Sequence, residues 1–337
     1  MKVLVTGHNG YVGKVLTKIL SEKKIDVVGC DINYFPAAFD NELYDIQNLN
    51  TDIRNISLED LKGIDGVIHL AGLSNDPLGE LNPQLTHEIN FISSVKLAKL
   101  SKKAGVKRFL FSSSCSTYGK NSDIVNENSN LDPLTEYAKS KVSSENEILE
   151  MTDESFCPTI LRNATVFGYS SSLRLDLVVN NLTASAFVTG KVKLLSDGTA
   201  WRPLLHVEDM SRAFLKIIES PEDSVKGEIF NVGNNNDNYR VREIAEKVEE
   251  IVPNSKIEFS DNSNKDSRSY KVDFEKIKNN LGYKTIWSLE KGIKQLHECF
   301  EKEKFTEDDF NNRKFYRLKQ LNWLIENNKL NKDLVFK

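Results

Sequence analysis

An apolar run, Val3-Leu4-Val5, leads directly into Thr6-Gly7-His8-Asn9-Gly10-Tyr11-Val12-Gly13. A strand, a glycine-rich turn and then a helix-like stretch read as the opening of a βαβ unit whose turn cradles a dinucleotide pyrophosphate. Gly7 lets the chain turn sharply. Gly10 lets backbone N–H groups approach the anion with no Cβ in the way. Gly13 lets the helix beginning near Tyr11 lie close on the strand. Asn9, Tyr11 and Val12 complete the cradle, where the helix N-terminus offers unpaired N–H groups and a partial positive charge. Alone, such a glycine pattern can be a mere turn.

The next apolar run, Ile25 to Cys30, removes that ambiguity. It ends in Asp31, 18 residues after Gly13, where an acid is expected to accept from the adenosine ribose hydroxyls. The following residues, Ile32 and Asn33, are not basic. A 2′-phosphate would therefore meet an unpaired negative charge, and NAD is expected rather than NADP. The alternative for Asp31 is an ordinary turn residue at a strand end.

A proton-transfer device lies further along. Tyr137 and Lys141 are four apart on a predicted helix, Tyr137 to Met151, and so share one face. The serine cluster Ser112-Ser113-Ser114 precedes them. A phenol is a poor base at neutral pH, but an ammonium and a nicotinamide cation nearby both favour the phenolate. The pair could take a proton from a sugar-type hydroxyl while hydride leaves, with Ser114 holding the same oxygen in line. Tyr-x-x-x-Lys also arises by chance on amphipathic helices. The glycine turn and the serine cluster in order argue against chance here.

Short apolar runs alternate with amphipathic segments to about residue 165. Strands are predicted at Val67–Gly72, Arg108–Ser112 and Thr159–Arg162, with a helix over Ile89–Ala104, which implies a doubly wound parallel sheet of Rossmann type. Beyond lie helix-like stretches at Asp176–Thr189, Val207–Glu219, Arg240–Ile251 and Leu289–Lys302, with polar turns such as Gly233–Asp237. The expected division is a Rossmann domain over 1–165, a smaller α/β substrate-binding part over 166–305, with some crossing of the chain between them, and a docked helical tail over 306–337.

The net charge of −4, with no basic stripe interleaved with aromatics, gives no sign of a nucleic-acid partner. Four scattered cysteines without a C-x-x-C fit a reducing cytosol. The five histidines lack metal-ligand spacing, so no metal is expected. No apolar run approaches a membrane span and no signal peptide precedes the first strand, so a cytoplasmic location is expected.

These residues together resemble the extended short-chain dehydrogenase/reductase family, in its nucleotide-sugar epimerase/dehydratase group. The resemblance spans residues 1 to about 300. It is carried by Thr6–Gly13, Asp31, Asp52-Ile53, His69-Leu70-Ala71-Gly72, Asn90, Ser112-Ser113-Ser114, Tyr118-Gly119, Pro133, Tyr137-Ala-Lys-Ser-Lys141 and Arg202-Pro-Leu-Leu-His206-Val207-Glu208-Asp209. It implies that Asp52 and Ile53 flank the adenine. Leu70, Ala71, Gly72 and Asn90 would line the cofactor channel beside Ser112. Ser114, Tyr137 and Lys141 would be catalytic. Asn181 and Arg202, with Arg268 on a looser match, would hold a substrate diphosphate, a task suited to arginine's planar fork; Arg268 could equally be a solvated loop charge. It also implies a homodimer through the Ile89–Ala104 and Tyr137–Met151 helices.

The chain departs from the family pattern in two places. Thr165 stands where an Asn commonly contacts substrate. Ser114-Cys115-Ser116 stands where dehydratases have Thr-Asp-Glu, and Cys115 is read as a small buried thiol. The expectation is NAD-dependent oxidation at C4 of a nucleotide-diphosphate sugar, with 4-epimerisation leading and net C4 dehydrogenation second. A catalytically idle NAD-sensing protein is the rival from another class. Intact Ser114, Tyr137 and Lys141 argue against it.

Overall fold

The computed structural model describes residues 1–39, 46–259 and 268–337. Seven parallel strands form the central sheet, in the spatial order Glu228–Val232, Cys157–Asn163, Arg108–Ser114, Gly66–His69, Lys2–Thr6, Asp26–Cys30 and Gln47–Asn48. The chain runs outward from Lys2–Thr6 in one direction, then returns to pair Gly66–His69 on its other side. That reversal opens a crevice at the strands' carboxyl ends, where open α/β sheets bind ligands.

The strands are apolar on both faces because both faces are covered. Val3 and Val5 join one core, under helices Tyr11–Glu22 and Val207–Glu219, which pack on each other. Leu4 points into the other, with Leu97, Ala98 and Ile148 from helices Ser93–Lys103 and Glu136–Leu149. A third core builds the smaller part around Leu182, Ile244 and Leu296.

The division at residue 165 is not clean, and the crossing is substantial. Strand Glu228–Val232 closes the edge of the central sheet and helix Val207–Glu219 covers its face, although both lie far along the chain. Conversely, Lys120–Val125 leaves the first part to pair with Ser269–Val272. An edge strand on a half-built sheet takes whichever apolar partner tertiary packing supplies, and local pattern does not say which.

The predicted Ile89–Ala104 helix begins instead as a π-helical stretch, His87–Ile92, and becomes α-helical at Ser93–Lys103. The wider turn has a local cause. The Ser93 hydroxyl donates to the Glu88 carbonyl five residues back, and the Asn90 carbonyl accepts from the Ser94 and Ser144 hydroxyls. The last residues pack against the rest of the chain. Phe315, Leu321 and Leu324 are buried, with helix Arg317–Glu326 completing the same core as Leu4.

Candidate active site

The glycine turn has the geometry its spacing predicts. Gly7 takes φ +74°, donates to the Cys30 carbonyl at 2.7 Å, and accepts from Gly10 N at 3.0 Å. A Cβ on Gly13 would lie 2.1 Å from the Gly7 carbonyl oxygen, so no other residue fits. Helix Tyr11–Glu22 starts at Gly10 with no side-chain cap and no acid in its first turn. Its amino end is therefore open to an anion. Asp31 closes the rim, one carboxylate oxygen accepting from Asn9 N at 3.0 Å and the other from Asn33 N at 2.8 Å. Turn, helix end and carboxylate together fit an anionic dinucleotide.

A cavity of about 670 Å³ runs from this turn across the crevice. It brings together Asp31, Ile32, Asp52, Ile53, Leu70, Ala71, Gly72, Ser112, Ser114, Tyr137, Lys141, Asn181, Arg202 and Arg268. Three expected cofactor residues do not line it. Asn9 and Asn33 frame Asp31 from behind, joined to each other at 2.6 Å. The Asn90 side chain is spent on the Leu73 backbone, accepting from its N–H at 2.8 Å and donating to its carbonyl at 3.0 Å. Asn90 thus shapes the channel wall from outside, and Ile89 faces the cavity instead. The π turn that puts Ile89 there is invisible to a helical-period reading. Asp52 lines the cavity but is locked to Arg54, whose Nε and Nη2 approach one oxygen at 2.9 and 2.6 Å.

Helix Glu136–Leu149, which carries Tyr137 and Lys141, is capped by the Thr135 hydroxyl, which accepts from Ala138 N. Its buried stripe, Ala138, Lys141, Glu145 and Ile148, follows helical spacing and carries two charges into the core. The Lys141 ammonium donates to the Ser112 carbonyl at 2.7 Å and lies 4.6 Å from the Phe111 ring centre. Burial lowers its pKa to about 8, against the pull of the Glu145 carboxylate. Glu145 is itself paired with Arg162 at 2.7 Å, and Arg162 reaches the Tyr118 hydroxyl at 3.0 Å.

The Tyr137 phenol faces the same cavity. Burial and the Asp76 carboxylate push its pKa up to about 12, while a hydrogen bond from Ser114 and the nearby Arg174 charge oppose them. Desolvation of a phenolate outweighs the dipoles around it in the protein alone. A positive group brought into the cavity would pull this pKa back down. Ser114 is positioned by Ser116 N, which donates to its Oγ at 3.1 Å. The Cys115 thiol is buried, donates to the Arg162 carbonyl, and has its pKa pushed up by burial. It is the inert thiol expected.

At the far end, Arg202 on strand Trp201–His206 donates to the Trp201 and Arg268 carbonyls, each at 2.7 Å. Arg268 pairs with Asp76, and Asn181 donates to the Leu175 carbonyl at 2.8 Å. Sequence reasoning missed Asp76, Arg174 and Arg317, which all line the cavity. Arg174 is buried and bound to Asp176 at 2.9 Å. Its signal was a pair of opposite charges, Arg174 and Asp176, alternating with Leu173, Leu175 and Leu177. Arg317 stands on the stripe Arg317, Leu321, Leu324 of an apolar helix face.

The profile of the NAD dependent epimerase/dehydratase family matches residues 3–233, more than half of the chain. The chain belongs to this family. The "Uncharacterized UDP-glucose epimerase YtcB" of Bacillus subtilis (strain 168) is 27% identical over 310 residues, covering 87% of this chain and 96% of its own. "UDP-glucuronic acid decarboxylase 4" of Arabidopsis thaliana is 27% identical over 317 residues, covering 90% and 70%. Among solved structures, "MoeE5 in complex with UDP-glucuronic acid and NAD" superposes with a TM-score of 0.79 at 25% identity, covering 90% of this chain and 100% of that one. The family's cofactor is the one the Asp31 argument selects. Among the described residues no helix is long and apolar enough to cross a membrane, and no cluster of His, Cys, Asp and Glu could hold a metal ion.

Proposed function

We propose that this protein oxidises C4 of a nucleoside-diphosphate hexose and returns the hydride to the other face, so that the net reaction is 4-epimerisation. One observation carries the reading: Ser114, Tyr137 and Lys141 share a single cavity with the Gly7–Gly13 turn and with Arg202 and Arg268. The relatives named for UDP-glucose and UDP-glucuronic acid support a UDP-hexose as the substrate class. When bound, the nicotinamide accepts and returns a hydride and, in its oxidised form, brings positive charge beside the phenol.

Tyr137 takes the proton from the C4 hydroxyl as the C4–H bond breaks, leaving a ketone. Ser114 donates to that oxygen and keeps it in line. Lys141, held on the Ser112 carbonyl, supplies positive charge behind the helix face. Arg202, with Arg268 and Asn181, holds the diphosphate while the sugar turns. Tyr137 then gives its proton back as the C4–H bond re-forms on the opposite face. Atoms and electrons balance with no other reactant.

The test is incubation with a panel of UDP-, GDP-, dTDP- and CDP-hexoses, with products followed by NMR and the cofactor by absorbance. An epimer without accumulating NADH is expected. A stoichiometric NADH burst would replace the reading with net dehydrogenation, and a pentose product from a hexuronic acid would replace it with decarboxylation of the 4-keto acid. No absorbance change and no product with any sugar would leave a cofactor-sensing protein.

A further inference from the structure

Arg317 belongs to the C-terminal tail, outside the residues matched by the family profile. Its side chain is 2% exposed, yet it lines the cofactor cavity. Nη2 donates to the Ser172 carbonyl at 3.1 Å, and the guanidinium stacks 4.3 Å from the Phe35 ring centre. Nη1 is buried and has no hydrogen-bond partner among the described residues. A buried guanidinium with an idle donor is costly, because its lost hydration is not replaced. Such an orphan calls for a ligand or another explanation.

The surroundings say which ligand. The Ser172 hydroxyl donates to the Asn9 carbonyl at 2.8 Å and the Ser170 hydroxyl to the Tyr11 carbonyl at 2.7 Å, so the segment that holds Arg317 is stapled to the glycine turn. The charges acting on Arg317 are those of Arg174, Asp176 and Asp31. Asp31 marks the adenosine ribose end of the cavity. Arg174, which acts electrostatically on Tyr137, marks the reacting end. The uncapped amino terminus of helix Tyr11–Glu22 lines the same cavity through Tyr11, Val12 and Gly13. The tail is fixed from several directions: Gln320 donates to the Tyr34 carbonyl at 3.1 Å, Tyr34 donates to the Leu334 carbonyl, and Arg54 donates to the Asp333 carbonyl at 2.8 Å.

We propose that Arg317 is a direct ligand of the dinucleotide, its Nη1 donating to the pyrophosphate that the Gly7–Gly13 turn cradles from the opposite side. The role rests on the reading that NAD occupies this cavity. The tail then does more than fill a core. It supplies the second half of the anion site, and a cofactor so clasped suits a reaction that returns its hydride within one turnover.

The test is calorimetric titration of cofactor-free protein with NAD, with ADP-ribose, which keeps the pyrophosphate but lacks nicotinamide, and with adenosine, which has neither. Arg317→Met keeps the stem over Phe35 and removes the donors. It should weaken NAD and ADP-ribose roughly 10- to 100-fold, the usual worth of a charge-assisted bond, and leave adenosine unchanged. Arg317→Lys should recover part of the loss. Equal affinity of wild type and Arg317→Met for ADP-ribose would overturn the proposal, as would an equal loss for adenosine, which marks a merely structural role. Should the variants not fold, hydrogen exchange on wild type decides. ADP-ribose should slow exchange in residues 313–326 and adenosine should not; no difference between them overturns the assignment. Wild type that binds no NAD would sink the cofactor reading itself, and Arg317's role with it.

Discussion

At the residue scale, two groups of the cavity differ in what they do for stability. Tyr137→Phe keeps the ring but removes the hydroxyl proposed to accept the substrate proton. Turnover should fall ~10²–10⁴-fold, the range for a lost general base, with the NAD dissociation constant nearly unchanged by direct titration. Retention of wild-type turnover would reassign the base. Lys141 is different, because its charge is expensive where it sits. With its pKa lowered to about 8 by burial, the folded state holds this proton less readily than the unfolded chain. Its destabilising effect is full below pH 8 and fades as pH rises from 8 towards the unfolded value of roughly 10.4. Lys141→Met should therefore abolish turnover yet raise stability by on the order of 1–2 kcal/mol at pH 7, some of the gain being lost with the bond to the Ser112 carbonyl. Urea unfolding at pH 7 and pH 10 checks this: the gap between variant and wild type should narrow at the higher pH.

At the scale of elements, the catalytic helix is anchored by charge as well as by apolar packing. Glu145, one turn beyond Lys141, accepts from Arg162 through Nε and Nη2, and both side chains are almost fully buried. Removing one partner of such a pair leaves an uncompensated buried charge. Glu145→Ala should cost about 3–5 kcal/mol in urea unfolding, far more than the pair's net worth. A loss below 1 kcal/mol would mean that water reaches Arg162. The strand Trp201–His206 does a separate job, carrying Arg202 to the end of the cavity away from the glycine turn. Arg202→Ala should weaken a UDP-sugar substantially while NAD binding stays within about twofold, because a diphosphate loses a charge-assisted partner. An unchanged substrate dissociation constant would make Arg202 a support for the Arg268 segment, whose carbonyl it already holds.

At the scale of the whole molecule, the cavity decides which chemistry follows oxidation. Loss of water across C5 and C6 of a 4-keto hexose needs a base and an acid beside the sugar. Immediately after Ser114 the chain offers a buried thiol, Cys115, with its pKa pushed up by burial, and the Ser116 hydroxyl, whose oxygen has no hydrogen-bond partner among the described residues. Neither is a competent acid or base at pH 7. No 6-deoxy-4-keto sugar should appear by NMR after incubation with any nucleotide hexose; finding one would refute this account of the site. The homodimer implied by the family resemblance would use helices Ser93–Lys103 and Glu136–Leu149, whose outer faces expose Lys96, Lys99 and Lys139 beside Asn146 and Glu147. Sedimentation should then show a dimer, and a monomer would refute it.

Much of this was legible in the chain because it is local. The Gly7–Gly13 spacing fixes a turn within eight residues, Asp31 follows at the end of the next strand, and Tyr137 and Lys141 share a helix face through 3.6-residue periodicity. Docking of the tail was legible in its apolar stripe. Other features depend on contacts between distant segments. The edge strand Glu228–Val232 has no pattern that names Cys157–Asn163 as its neighbour. Asn90 looks like a channel residue until the π turn spends its amide on Leu73. Tyr137 reads as an activated phenol until burial and Asp76 are counted. Arg317 carries no local signal of its own, and only the fold brings it, through Ser172, to the segment stapled to the glycine turn. Periodicity fixes which face of an element is buried; only the assembled fold decides what that face is buried against, and hence the solvation, the charge and the partners each side chain has.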